Sequence, residues 1–231
     1  MTSILVLGFF LGMRHALEAD HIAAVATLTS KDMSLKNAVR TGAVWGVGHT
    51  LMLFVFGAAA LMLNDTIPDN LSNGLEFAVG IMLIILGADV LRRMIRDRIH
   101  FHTHKHGKDV QHFHAHSHRG EKTRPVHPRQ HVHDHSPVFP LRAFFIGMMH
   151  GMAGSAVLIV LAFQAMSSLW TGMIYIVLFG AGSIIGMAVL SMIIAIPIYK
   201  TRSMTWLHNG LQGVIGVLTI GLGMVTVLSH M

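Results

Sequence analysis

Along the 231-residue chain, long apolar runs alternate with short polar interruptions. A helix needs roughly 20 residues to cross a hydrocarbon core. Six stretches reach that length: residues 3–28, 39–63, 74–94, 141–165, 170–197 and 207–229. Between Arg98 and Pro140 the apolar pattern stops. The expected fold is an all-α membrane protein with six transmembrane helices, divided into residues 1–94, a loop over 95–140, and residues 141–231.

The two outer segments look like copies. A shift of about 135 residues sets Phe9-Phe10-Leu11-Gly12-Met13-Arg14-His15 over Phe144-Phe145-Ile146-Gly147-Met148-Met149-His150, with five of seven positions identical. The second helices align less closely, Gly46-Val47-Gly48-His49 over Gly180-Ala181-Gly182-Ser183, and in the third Gly80 and Gly87 fall on Gly216 and Gly223. Three spans per copy is an odd number, so the second copy must enter the membrane from the opposite side. The expectation is two inverted three-helix repeats, an arrangement that places a transported species near the midplane on broken helices.

Composition agrees with this reading: 52% of residues are hydrophobic and only 12% charged, about half the charged share of a soluble domain. The formal charge of +6 marks topology, not nucleic acid. Lys31, Lys36 and Arg40, the run from Arg92 to Arg142, and Lys200 with Arg202 all fall in alternate loops. By the positive-inside rule both termini lie outside and the central loop is cytoplasmic, as expected for a multi-pass protein of the cell (inner) membrane. The chain has no cysteine, which excludes disulfides and thiolate metal sites. Its first apolar stretch carries Arg14, Glu18 and Asp20 and no signal-type cleavage pattern, so it is expected to stay in the mature protein.

A charge at the bilayer centre costs at least about 2.5 to 3.5 kcal/mol. Arg14, Glu18 and Asp20 in one span therefore need partners. Beside them stand His15 and His21, and imidazole with carboxylate suits divalent nickel, cobalt, zinc, iron or manganese. At about 100° per residue, Asp20 lies roughly 140° from His15 around a regular helix, and His21 roughly 120° the other way. One ion cannot be gripped by all three from an unbroken helix. Either the helix unwinds, or each residue meets a different partner, with Glu18 orienting the imidazoles. His49 and His150 are two further mid-span histidines, each of which alone could equally be a hydrogen-bonded packing residue. Arg14 is expected to pair with Glu18 one turn on, and Asp89 with Arg92 and Arg93 at the end of the third span. Seventeen methionines read as apolar filler, not as a copper site.

The loop is dense in imidazole. His100, His102, His104, His106, His112, His114, His116, His118, His127, His131, His133 and His135 fall within 36 residues. So polar a tract is expected to be disordered and to buffer transition metals.

His15-Ala16-Leu17-Glu18-Ala19-Asp20-His21-Ile22 resembles the H-x4-D-H-I signature of the nickel/cobalt transporter superfamily, and Gly48-His49-Thr50 resembles its second motif. The resemblance implies a permease that carries Ni2+ or Co2+ as substrate, with His15, Asp20, His21 and His49 needed for metal recognition. Six spans and His150-Gly151-Met152-Ala153-Gly154-Ser155 look more like the urease accessory branch, while the His-rich loop is similar to that of nickel/cobalt efflux proteins. Both directions of transport stay open. The expected metal site is His15, Asp20, His21, His49 and His150, flanked by Glu18 and Arg14. Expected partners are the metal ion, membrane lipid and a cytoplasmic metallochaperone, with no nucleic acid, prosthetic group or enzyme activity. Two other classes use buried histidines: an intramembrane zinc hydrolase and a haem-b protein.

Overall fold

A computed structural model describes residues 2–30, 34–63, 68–97, 100–106, 110–116, 140–152, 169–201 and 204–231. The described helices are α1 (Thr2–His15), α2 (Ala19–Thr29), α3 (Leu35–Leu63), α4 (Asp69–Asp97), α5 (Leu141–Gly151), α6 (Leu169–Lys200) and α7 (Thr205–Ser229). Among the described residues, four of these helices contain segments long and apolar enough to cross a membrane: Leu35–Ala59, Asn70–Arg96, Trp170–Lys200 and Trp206–Ser229. Of the span expected over 141–165, α5 is described as far as Met152, and residues 153–168 lie outside the described residues.

The first expected span is broken in its middle. After His15 the chain tightens, with Leu17 N–H donating to Arg14 C=O at 2.9 Å and Glu18 N–H to His15 C=O at 3.1 Å. Glu18 is extended (φ −66°, ψ 149°), and α2 then starts beneath it. Ala16, Leu17 and Glu18 are all good helix formers, so local propensity does not cause the break. Packing does: Ala16 is fully buried, and its Cβ lies 2.8 Å from where a Cβ on Gly186 would stand.

Glycines set how the helices meet. In α1 against α6, a Cβ on Gly12 would run into the Phe179 carbonyl and one on Gly182 into the Phe9 carbonyl. For α3 against α5, the same holds for Gly147 with the Trp45 carbonyl and Gly48 with the Phe144 carbonyl. Gly8 meets Tyr175 where Gly186 meets Ala16, and Gly147 meets Trp45 where Gly151 meets His49, so residue numbers rise together along each contact and each pair is parallel. α4 packs along α7 in the antiparallel sense, Gly80 against Gly223 and Gly87 against Gly216. Backbones this close gain dispersion contacts that lipid cannot offer. One core cluster joins Val25, Trp45, Leu83, Ala143 and Met187. Large apolar side chains such as Phe10, Ile85, Phe145 and Leu218 face outward, as a helix surface in lipid requires.

Within the His-rich tract, residues 100–106 and 110–116 depart from the expected disorder. Strands β1 (His100–His106) and β2 (Val110–His116) pair antiparallel, with Cα partners His100 and His116, His102 and His114, His104 and His112. The sequence accounts for this, because Phe101, Thr103, Val110 and Phe113 are strand-favouring residues set at alternate positions among the histidines. His118, His127, His131, His133 and His135 lie outside the described residues.

Candidate metal centre

The break between α1 and α2 gathers residues that a regular helix would scatter. His15 ends α1, Asp20 and His21 open α2, His49 comes from the middle of α3, and His150 lies in the last turn of α5. All four histidines are buried. His15 Nε2 faces His49 Nε2 at 3.2 Å. Asp20 bridges two rings: Oδ1 is 2.9 Å from His21 Nδ1 and Oδ2 is 2.8 Å from His150 Nε2. Oδ1 also accepts the His21 backbone N–H at 2.9 Å.

These contacts leave ligand atoms over. His21 Nε2, His49 Nδ1 and His150 Nδ1 are buried without a hydrogen-bond partner among the described residues. A buried polar nitrogen that is left unsatisfied is costly, and four rings meeting at one point make a donor set with too few protons to share. Two overlapping groups have the spacing of metal ligands: His15, His21 and His49, and Asp20, His21 and His150, the atoms of each lying within 4.8 Å of one another. Imidazole nitrogen and carboxylate oxygen are ligands for nickel, cobalt and zinc.

The helix ends favour the same charge. α1 and α5 both terminate at the cluster, and the C-terminal end of a helix carries partial negative charge that attracts a cation. Asp20 sits in the first turn of α2, where the partial charge is positive and a carboxylate is stabilised.

Several sequence expectations are rearranged here. Glu18 turns to His15, with Oε1 2.9 Å from Nδ1 but off the line of a good hydrogen bond. Arg14 is exposed, and among the described residues it makes no ion pair with Glu18. Asp89 does reach Arg93, at 3.6 Å, but its shorter contact is to Arg142 of α5, at 2.9 Å.

Two aromatic walls were not anticipated. Trp45 is fully buried, stacks on His49 at 5.9 Å, and stands edge-on to His21 at 5.4 Å and His150 at 5.6 Å. Phe179 lies 5.4 Å from His15. Trp45 precedes His49 by four residues, which puts both on one helix face; that spacing was the available signal.

Comparison with known proteins identifies the class as a metal-ion permease. Residues 1–229 match the family described as high-affinity nickel-transport protein, and the chain belongs to that family. The urease accessory protein UreH of Bacillus sp. (strain TB-90) is 31% identical over 229 residues, covering 96% of this chain and 90% of UreH. Chloroplast protein FOR GROWTH AND FERTILITY 1 of Arabidopsis thaliana is 26% identical over 96% of this chain and 58% of its own. A Methanocaldococcus jannaschii protein designated a nickel/cobalt efflux system is 30% identical over 43% of this chain and 46% of its own. No solved structure matches. Metal-ion transport across a membrane is the function of the chain; it is not an enzyme, and the hydrolase alternative finds no support.

Proposed function

We propose that the chain carries Ni2+ or Co2+ by secondary transport through a site made of His15, Asp20, His21, His49 and His150, with Glu18 orienting His15. The observation that carries this reading is the convergence of these five side chains from four helices, each of the four rings buried with a nitrogen that has no hydrogen-bond partner among the described residues. The fold is read as six spans in two inverted repeats, residues 1–94 and 141–231. Supporting this, the contacts of α1 on α6 and of α5 on α3 use glycines 134 or 135 positions apart. Phe9–Phe10 and Phe144–Phe145 also pack alike, edge to face at 5.6 Å and 5.8 Å. Rocking of one repeat against the other would open the site to each side in turn. Both termini lie outside, and the cytoplasmic loop over 95–140 concentrates metal through its histidines.

Radiolabelled nickel and cobalt flux, measured in both directions across oriented vesicles, tests the proposal. His15→Ala and Asp20→Asn should each abolish flux; full transport in both variants would overturn the site. Deleting the loop should shift the dependence on metal concentration and leave flux intact.

A further inference from the structure

The two ligand groups differ in composition and in origin. His15, His21 and His49 offer three imidazoles, all from residues 1–94. Asp20, His21 and His150 offer two imidazoles and a carboxylate, and this group is incomplete without α5. His21 belongs to both. Its Nδ1 lies on Asp20, while its Nε2 is buried with no partner.

Resting on the transport reading above, the geometry points to a two-position relay: one ion occupies the three-imidazole position or the Asp20 position and passes between them around His21. In the exchange the bonds from metal to His15 and His49 break as those to Asp20 and His150 form; the proton held between Asp20 Oδ2 and His150 Nε2 moves to His150 Nδ1, which is buried without a partner among the described residues, and no electron changes hands. With one His21 nitrogen serving both positions, an ion moving this way keeps a protein ligand throughout, which avoids stranding a bare dication in a low-dielectric interior. Two dications a few ångströms apart would repel strongly, so the positions fill one at a time. The carboxylate position carries a negative charge that the all-imidazole position lacks, and it alone draws a ligand from both outer segments of the chain. Motion between the segments therefore dismantles the second position first, and the step between positions couples the ion to that motion.

Trp45 supplies a reporter separate from flux. Nickel and cobalt quench a neighbouring indole, and Trp45 lies against His21, His49 and His150. The other two tryptophans, Trp170 and Trp206, are 78% and 73% exposed at helix ends, and the His-rich tract has none. The full chain in nanodiscs is titrated with Ni2+, with Trp45→Phe as the control for the signal. The relay predicts that the double variant His15→Ala/His49→Ala still shows saturable quenching, because the Asp20 position survives. His49→Ala/His150→Ala, which breaks both positions, should lose binding at least about hundredfold. X-ray absorption on Co2+-loaded single variants gives a second measure: His49→Ala should show a carboxylate oxygen in the coordination shell and His150→Ala should not. Equal losses in the two double variants, or the same carboxylate signal in both single variants, would replace the relay with one merged site. Absence of Trp45-dependent quenching in the wild type would instead overturn the transport site itself.

Discussion

The contact of α1 on α6 and that of α5 on α3 are built alike and equipped differently. Each is a parallel pair in which a glycine of the shorter helix (Gly12, Gly147) sits under a carbonyl of the longer one, and a glycine of the longer (Gly182, Gly48) answers it. Each short helix ends at a buried histidine, His15 or His150. The long helices then diverge: α3 presents Trp45 and His49, where α6 has Phe179 and Ser183 at the matching positions. Ser183 is fully buried, and its Oγ reaches the Met187 sulfur at 3.9 Å. Close packing thus needs the glycines in both places and each short helix keeps its histidine, while the long helices differ in what they carry beside them. The scaffold is shared, and in the proposed site four of the five ligands come from the first segment.

The sharpest test of that asymmetry sets His49 against Ser183. His49→Ala should reduce nickel flux at least about hundredfold, whereas Ser183→Ala should stay within about twofold, as a buried change away from the ligands would. Flux in proteoliposomes measures both, and a comparable loss in Ser183→Ala would extend the site into α6. The likeness of the two contacts is tested next, through stability. Gly12→Ala and Gly147→Ala each force a Cβ onto backbone, so each should cost about 1 to 3 kcal/mol. Gly74→Ala in α4 meets nothing within 4 Å and should gain up to about 1 kcal/mol from helix propensity. Denaturant titration of the purified protein reads all three, and a tolerated Gly12→Ala beside a damaging Gly147→Ala would show that the contacts are not equivalent.

How far the sequence reveals this design varies with the physics involved. Span length and apolarity made the helices legible, because lipid demands both. Polar side chains in apolar helices marked the candidate site residues, and simple angular arithmetic on His15, Asp20 and His21 left either a break or separate partners, of which the structure has the break after His15. The packing cause of the break was hidden, since Ala16 meets Gly186 from far along the chain. Gly80, Gly87, Gly216 and Gly223 were visible as a repeat but not as partners, because a pattern repeated in two helices does not say that they touch. Trp45 had no compositional signal: an indole in an apolar helix is ordinary until its neighbours are known. In the His-rich tract polarity points to disorder, while the alternation of His with Phe101, Thr103 and Phe113 points to strands, and over residues 100–106 and 110–116 the alternation prevails.

The Asp89 contact gives the finest test of what holds α5 in place. Arg142 opens α5 and Gly147 lies in its middle, so either the ion pair at one end or the glycine contact on α3 could fix its position. Arg142 is half exposed, at 50%, and Asp89 is 27% exposed, which leaves the pair well screened by water and worth under about 1 kcal/mol. Removing Arg142 also leaves Asp89 with Arg93 at 3.6 Å, so no charge is stranded. Arg142→Ala should therefore lower stability less than Gly147→Ala in the same titration and leave flux within about twofold. A loss equal to that of Gly147→Ala would shift the anchoring of His150 from backbone contact to charge, and the two parallel contacts would then differ in their mechanics as well as in their chemistry.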